Sequence, residues 1–214
     1  MKKINLAYFS VRELEDFVKS WGEPVFRSRQ LLRWIWREGV SDFNKMSNLS
    51  VKFRNRLIEE CIVEFPSILL AQNSSDGTVK YLLKLDDSKT VETVWIPSKD
   101  NTRVTLCVST QVGCKMGCTF CLTAQQKVER NLLAGEIAAQ LRVMPDRKKV
   151  TNIVMMGMGE PFDNYDQVLG AIELFVDTDG LEKKKKKITV STSGLVPAIK
   201  KFVAQSKARL AVSL

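Results

Sequence analysis

The chain has 214 residues and a mass of 24.2 kDa, with 44% hydrophobic and 27% charged side chains. Those are the proportions of a soluble globular protein with a core of ordinary size. The net charge is +9, histidine is absent and there are five cysteines. The longest apolar runs, such as Ile68–Ala71 and Ile153–Met156, are far too short to cross a bilayer, and Met1–Leu6 is not followed by a signal-type apolar stretch. An odd number of cysteines, three of them clustered, fits reduced thiols better than a disulfide framework. The expectation is a cytoplasmic protein that does not enter a membrane.

The first 60 residues read as helices. Ser10 and Glu13 have capping-box spacing, Leu14, Phe17 and Val18 form an apolar face, and Gly22 is a stop signal. A second helix is predicted over Phe26–Glu38, ended by Gly39, and a third near Val51–Glu60. Lys52, Arg54 and Arg56 fall mainly on the outer side of the third, open to solvent or to a phosphate backbone. From about Ser67 the period becomes two. Ser67–Asn73, Val79–Leu85 and Thr90–Pro97 are separated by turn signals at 74–77 and 86–88 and predict a small antiparallel meander.

Beyond Thr102 strands alternate with helices. Strands are predicted near Val104–Ser109, Val150–Met156, Lys187–Ser191 and Ala208–Leu214, and helices near Ala134–Met144, Tyr165–Val176 and Pro197–Gln205. This spacing predicts an α/β fold, either a parallel sheet or part of a (βα) barrel. The resulting division is a helical accessory domain (1–62), the meander (63–101) and the barrel-type core (102–214). The apolar Leu210–Leu214 reads as a buried strand with nothing after it, which predicts that the chain is a fragment of a longer protein.

Charge is uneven: residues 1–60 carry 12 basic and 8 acidic side chains, 61–180 carry 12 and 15, and 181–214 carry 9 and 1. Basic ends around a near-neutral middle would suit a polyanion, although Lys183 to Lys187 read equally as a solvated loop.

Cys114, Cys118 and Cys121 have C-x3-C-x2-C spacing. Three thiolates can hold three corners of a four-iron, four-sulfur cube and leave one iron open to a ligand. A buried cysteine stripe on a helix is the alternative, but Gly113 and Gly117 would each cost that helix about 1 kcal/mol and suit a tight loop instead. A structural zinc site would need a fourth ligand beside the triplet, which Cys107 could supply only by distorting its strand. Loops after parallel strands gather at one face. There the cysteine loop would meet Gly157–Pro161, whose glycines permit close backbone approach to a ligand. Glu160 could accept hydrogen bonds from an ammonium group, and the hydroxyls around Ser191 and Ser213 could bind ribose or carboxylate.

The triplet, with Phe120 before its last cysteine, resembles the radical S-adenosylmethionine (SAM) signature. The strings Leu106–Cys114, Cys121–Gln126, Arg130–Leu132, Met156–Pro161 and Ser191–Gly194, with Phe26–Trp34 in front, look like the RlmN family more narrowly. The resemblance implies a partial (βα) barrel of the radical SAM type behind a helical accessory domain. It implies methylation of carbon 2 of an adenine in 23S rRNA and in tRNA, by way of a methylated cysteine. The related Cfr enzymes, which act on carbon 8, are the near alternative, and a catalytically silent RNA-binding remnant is another. By position, it implies Cys114, Cys118 and Cys121 as ligands of a [4Fe-4S] cluster and Gly159, Glu160, Ser191 and Ser213 around S-adenosylmethionine. Cys107 takes the place of a cysteine that resolves a protein–RNA adduct through a disulfide bond. Glu92 takes the place of a carboxylate that moves a proton. Read without the resemblance, Cys107 is a small buried strand residue and Glu92 lies on the exposed side of an alternating strand. The implied partners are RNA and an electron donor such as flavodoxin or ferredoxin, with a monomer expected. The family's methyl-carrying cysteine has no counterpart in this chain, and Cys61 is expected to pack within the front segment.

Overall fold

A computed structural model describes residues 3–100, 102–119 and 121–213. After a two-residue strand β1 (Ile4–Asn5), helix α1 (Val11–Ser20) begins at the expected capping box: the Ser10 hydroxyl accepts from the Glu13 amide at 3.2 Å, and the Glu13 carboxylate accepts from the Ser10 amide at 2.7 Å. Helix α2 (Phe26–Arg33) does not stay α-helical to Glu38. Its continuation, Trp34–Glu38, widens into a π turn that Gly39 closes at φ 75°. Helix α3 (Val51–Glu60) has the predicted bounds, capped by the Ser50 hydroxyl. Cys61 then leaves the helix into strand β2 (Cys61–Ile62), parallel to β1. Burial pushes its thiol up to about 12, which makes it an inert core residue.

The antiparallel strands β3 (Ser67–Asn73), β4 (Val79–Lys84) and β5 (Thr90–Pro97) follow as predicted. They are not a separate layer. Strand β6 (Val104–Cys107) pairs antiparallel with β5 on one side. Two short strands, β7 (Gln111–Val112) and β8 (Arg130–Asn131), lead into helix α4 (Ala134–Arg142) and strand β9 (Val150–Met155). Helix α5 (Tyr165–Val176), strand β10 (Ile188–Thr192), helix α6 (Val196–Gln205) and strand β11 (Arg209–Val212) complete the described chain. The seven-stranded sheet has the order β11-β10-β9-β6-β5-β4-β3, with β6, β9, β10 and β11 parallel. Each parallel strand is laid beside the one before it after a helical crossover, the path of a (βα) barrel. The last strand is shorter than expected, and Leu214 lies outside the described residues.

One hydrophobic core joins the front helices to the sheet, with Leu31, Trp36 and Phe53 in the same cluster as Leu141, Ile153 and Phe175. A polar clamp reinforces the junction. The Arg29 guanidinium donates to both Asp177 oxygens at 2.7 Å and to Asp179 Oδ2 at 2.7 and 3.1 Å. Burial alone would raise the Asp177 pKa, but the hydrogen bonds and charge of Arg29 outweigh it and hold the carboxyl below its usual 3.8. A carboxyl depressed in the folded state contributes stability above its unfolded pKa and loses it as pH falls through the folded value. Arg29→Ala is therefore expected to cost about 1–3 kcal/mol near neutral pH and much less near about pH 2. Thermal unfolding of both proteins across that range checks it; an equal loss at both ends would contradict the clamp.

Candidate active site

The C-terminal ends of the parallel strands meet at one face, as the topology requires. After β6 the chain makes the short ladder β7–β8, Gln111 opposite Asn131 and Val112 opposite Arg130, and everything between is a lasso that carries the three cysteines. Gly113, at φ 77°, turns the chain into the lasso; a Cβ there would stand 2.2 Å from the Lys127 carbonyl oxygen. Amide bonds from Cys114 to Gln126, Cys121 to Cys118 and Ala124 to Cys121 curl it, as predicted for a loop and not for a helical stripe. Phe120 lies outside the described residues.

Cys114, Cys118 and Cys121 line a single cleft of about 220 Å³, and Gly159, Glu160, Ser191 and Ser213 line the same cleft. All seven residues assigned to cluster and cofactor thus share one cavity. Glu160 is buried, and its carboxylate accepts from the Phe162 amide at 2.9 Å, the Ser193 amide at 2.9 Å and the Ser193 hydroxyl at 3.1 Å. Those bonds tie the loop after β9 to the end of β10, and the lone-pair capacity left on a carboxylate can serve a ligand. Ser191 Oγ lies 3.4 Å from Ser213 Oγ across the parallel pair β10–β11. The glycines of Gly157–Pro161 do something the sequence did not show. A Cβ on Gly157 would meet Ser109 Oγ at 2.7 Å, and one on Gly159, at φ 102°, would meet Gln111 Cβ at 2.6 Å. Their close approach is to the segment after β6.

The donor set fits an iron–sulfur cube. Three thiols face one cavity, and burial, followed by the charges of Cys121, Cys118 and Glu160, pushes the Cys114 thiol up despite a backbone bond from Met116, so these groups lie within electrostatic reach of each other. Among the described residues no three Cys, Asp or Glu side chains converge tightly enough for a single ion. Thiolates on separate corners of a cube stand farther apart than the ligands of one ion. Cys107 ends β6, is buried and does not line the cleft. Burial raises its pKa, partly offset by a backbone bond from Met156. All five cysteines are free thiols. Glu92 lies on β5 at the same pole, its carboxylate 2.9 Å from Lys80 Nζ, and lines a second cleft of about 570 Å³ beside the cysteine lasso.

The buried polar frame behind the lasso was not legible in the sequence. Gln111 Nε2 donates to Asn131 and Asp163, each at 2.8 Å, and its Oε1 accepts from the Glu160 amide at 2.8 Å. Gln140 Oε1 accepts from Thr93 Oγ1 and the Ser109 amide, and its Nε2 donates to the Ser109 carbonyl. Asn164 bridges the Thr110 and Leu132 carbonyls, each at 2.8 Å. Arg130 grips Glu136 with two bonds of 2.8 Å and Asp87 with one of 2.6 Å. Single polar residues inside apolar stretches, such as Gln140 beside Ile137 and Leu141, are the only signal the sequence carries of this frame.

Residues 4–63 match the ribosomal RNA large subunit methyltransferase N-terminal domain, and residues 108–214 match the radical SAM superfamily. The dual-specificity RNA methyltransferases RlmN of Geotalea uraniireducens and Syntrophus aciditrophicus are 42% and 43% identical to this chain over its whole length. The chain spans 62% of the length of each. A crystal structure of a radical SAM methyltransferase from Sphaerobacter thermophilus superposes with a TM-score of 0.84 at 37% identity, over 99% of this chain and 63% of that one. The superfamily uses a [4Fe-4S] cluster and S-adenosylmethionine, the pair that the three-thiol cleft fits. With half its residues in the superfamily's own domain and an RlmN-type front segment before them, the chain belongs to the radical SAM superfamily.

Proposed function

We propose that the protein is the cluster- and cofactor-binding part of an RNA methyltransferase of the RlmN type, an enzyme that acts on carbon 2 of adenine in 23S rRNA and in tRNA through a methyl group carried on a cysteine. One observation carries the reading: three lasso thiols and the polar groups of three further strand ends share one cleft behind an RlmN-type front segment. A bound cluster would supply one-electron reductive chemistry toward S-adenosylmethionine, which belongs to the cofactors and not to side chains. Cys114, Cys118 and Cys121 hold the cluster. The Gly159 backbone, Glu160, Ser191 and Ser213 orient S-adenosylmethionine, and the Gln111 frame keeps Glu160 in place. Cys107, buried at the end of β6, is the thiol that would release product by closing a disulfide with the methyl-carrying cysteine as that sulfur's bond to the adduct breaks. Glu92, anchored by Lys80, takes up or passes on a proton from the neighbouring cleft. An unpaired or extruded adenine suits this arrangement, since carbon 2 is out of reach inside a duplex. A flavodoxin- or ferredoxin-like donor, a monomeric state and a cytoplasmic location complete the proposal; among the described residues no helix is long and apolar enough to cross a membrane.

The test is anaerobic reconstitution with iron and sulfide, followed by EPR of the reduced protein with and without S-adenosylmethionine. A four-iron signal that changes shape on adding S-adenosylmethionine is expected, and a folded protein without one would overturn the reading. The methyl-carrier route needs a second cysteine that can reach the adduct, and Cys61 is sealed in the core. The 214-residue chain is accordingly expected to form the cluster without making 2-methyladenosine in RNA, as read by mass spectrometry of nucleosides.

A further inference from the structure

We infer that the protein has a second RNA-binding surface, at the pole opposite the cleft, where the parallel strands begin; this rests on the reading that its substrate is RNA. Strands β6, β9, β10 and β11 run the same way, so the four connections entering them share one edge of the sheet. Those connections, 98–103, 143–149, 177–187 and 206–209, hold twelve basic and five acidic residues, a net of +7 within a chain of +9. The connections leaving the strands into the cleft, 108–133, 156–164 and 193–195, hold three of each and cancel. At about 3.3 Å per residue, strands of this length separate the two poles by roughly 15–20 Å.

The pairing differs as sharply as the count. Near the cleft Lys115 is paired with Asp163, Lys89 with Glu129 and Arg130 with Asp87 and Glu136. At the far pole Lys99, Arg103, Lys148, Lys184, Lys186, Lys187, Lys207 and Arg209 are exposed. Among the twelve basic residues there, only Lys149 has a carboxylate partner in the described structure, Asp146 at 2.9 Å. The acids of this pole are largely engaged by cations from the front segment, Asp177 and Asp179 by Arg29 and Glu182 by Arg37. Like charges held together without counter-charges repel one another, and a polyanion relieves that repulsion while releasing its own counterions.

The same pole has an aromatic cleft of about 460 Å³, lined by Tyr81, Trp95, Pro97, Pro145 and the Asp146–Lys149 ion pair. Tyr81 and Trp95 are diagonal neighbours on one face of the β4–β5 pair, both half-buried. Aromatic side chains next to exposed cations, here Lys148 beside the cleft and Lys184, Lys186 and Lys187 at the same pole, are the combination that receives an unpaired base while its backbone lies on the cations. A folded RNA held here, and reaching around to present its target base at the neutral cleft, would obtain its electrostatic affinity away from the chemistry. The lysine run is therefore more than a solvated loop.

The test measures binding of a labelled RNA hairpin with a single-stranded tail, by fluorescence anisotropy over a series of salt concentrations. The proteins are wild type and a variant combining Lys148→Gln, Lys149→Gln, Lys184→Gln, Lys186→Gln and Lys187→Gln. The variant is expected to bind at least about tenfold more weakly, with a salt slope shallower by about 0.7–0.9 for each phosphate it no longer neutralises. Circular dichroism and reconstituted iron content, both unchanged, would show that fold and cleft are intact. RNA should also quench wild-type tryptophan emission more than that of Trp95→Phe. Equal affinity and slope in the two proteins would overturn the second surface and leave the methyltransferase reading standing. A wild type that ignores RNA but binds phosphatidylserine vesicles would overturn both.

Discussion

Replacing any one of Cys114, Cys118 or Cys121 with alanine is expected to lower reconstituted iron from about four atoms per chain to near none, while the protein stays folded. The expectation follows from where the three thiols stand. They are half-exposed on a surface lasso, not packed in the core, so removing one deletes a ligand without leaving a cavity. Cys61→Ala should do the reverse. That side chain is buried in the β1–β2 junction, and its loss should lower the unfolding midpoint and leave iron binding intact. Iron and sulfide assays beside thermal unfolding separate the two cases. Full iron content in a Cys118→Ala protein would remove the basis for assigning the cluster to the lasso.

The second large effect is mechanical. Gly135→Ala lies in helix α4, where replacing glycine with alanine ordinarily favours the helix by about 1 kcal/mol. Here the added Cβ would stand 2.0 Å from the Ala7 carbonyl oxygen and 2.5 Å from Tyr8 Cα, all backbone atoms that cannot turn aside as a side chain can. The front segment can keep its place against α4 only if the residue has no side chain. We expect a net loss of about 3–5 kcal/mol, seen as a lower midpoint in urea unfolding. Stability equal to or above wild type would show that the front segment docks differently. The Arg29 clamp sits at the connection after α5 and Gly135 in the first turn of α4, at opposite ends of the sheet, so the losses of the two variants combined should add.

Features set by neighbouring residues were legible without coordinates. The bounds of α3, β3, β5 and α5 follow from periodicity and turn residues, and the Ser10–Glu13 capping box follows from a spacing of three. The cysteine lasso was readable for the same reason, because covalent spacing and two glycines limit what three thiols can do. The strand–helix alternation even gave the face on which Glu160, Ser191 and Ser213 would meet those thiols, since parallel strands must end on one side.

What the tertiary structure decided depends on partners far apart in sequence. Periodicity shows that β5 is a strand but not that it pairs with β6 and merges the meander into the barrel sheet. Gly157 and Gly159 looked like room for a ligand, yet the space they leave is filled by Ser109 and Gln111, 48 residues earlier in each case. Gln111, Gln140 and Asn164 became recognisable as the frame of the site only once their amides were seen bonded across elements. Likewise, the net charge was visible in the composition, but its concentration where the parallel strands begin needed the strand directions. Local propensity and covalent spacing act over a few residues, and a sequence displays them directly. Close packing, hydrogen-bond satisfaction and the placement of charge act through space, so the fold must bring the groups together before they can be read.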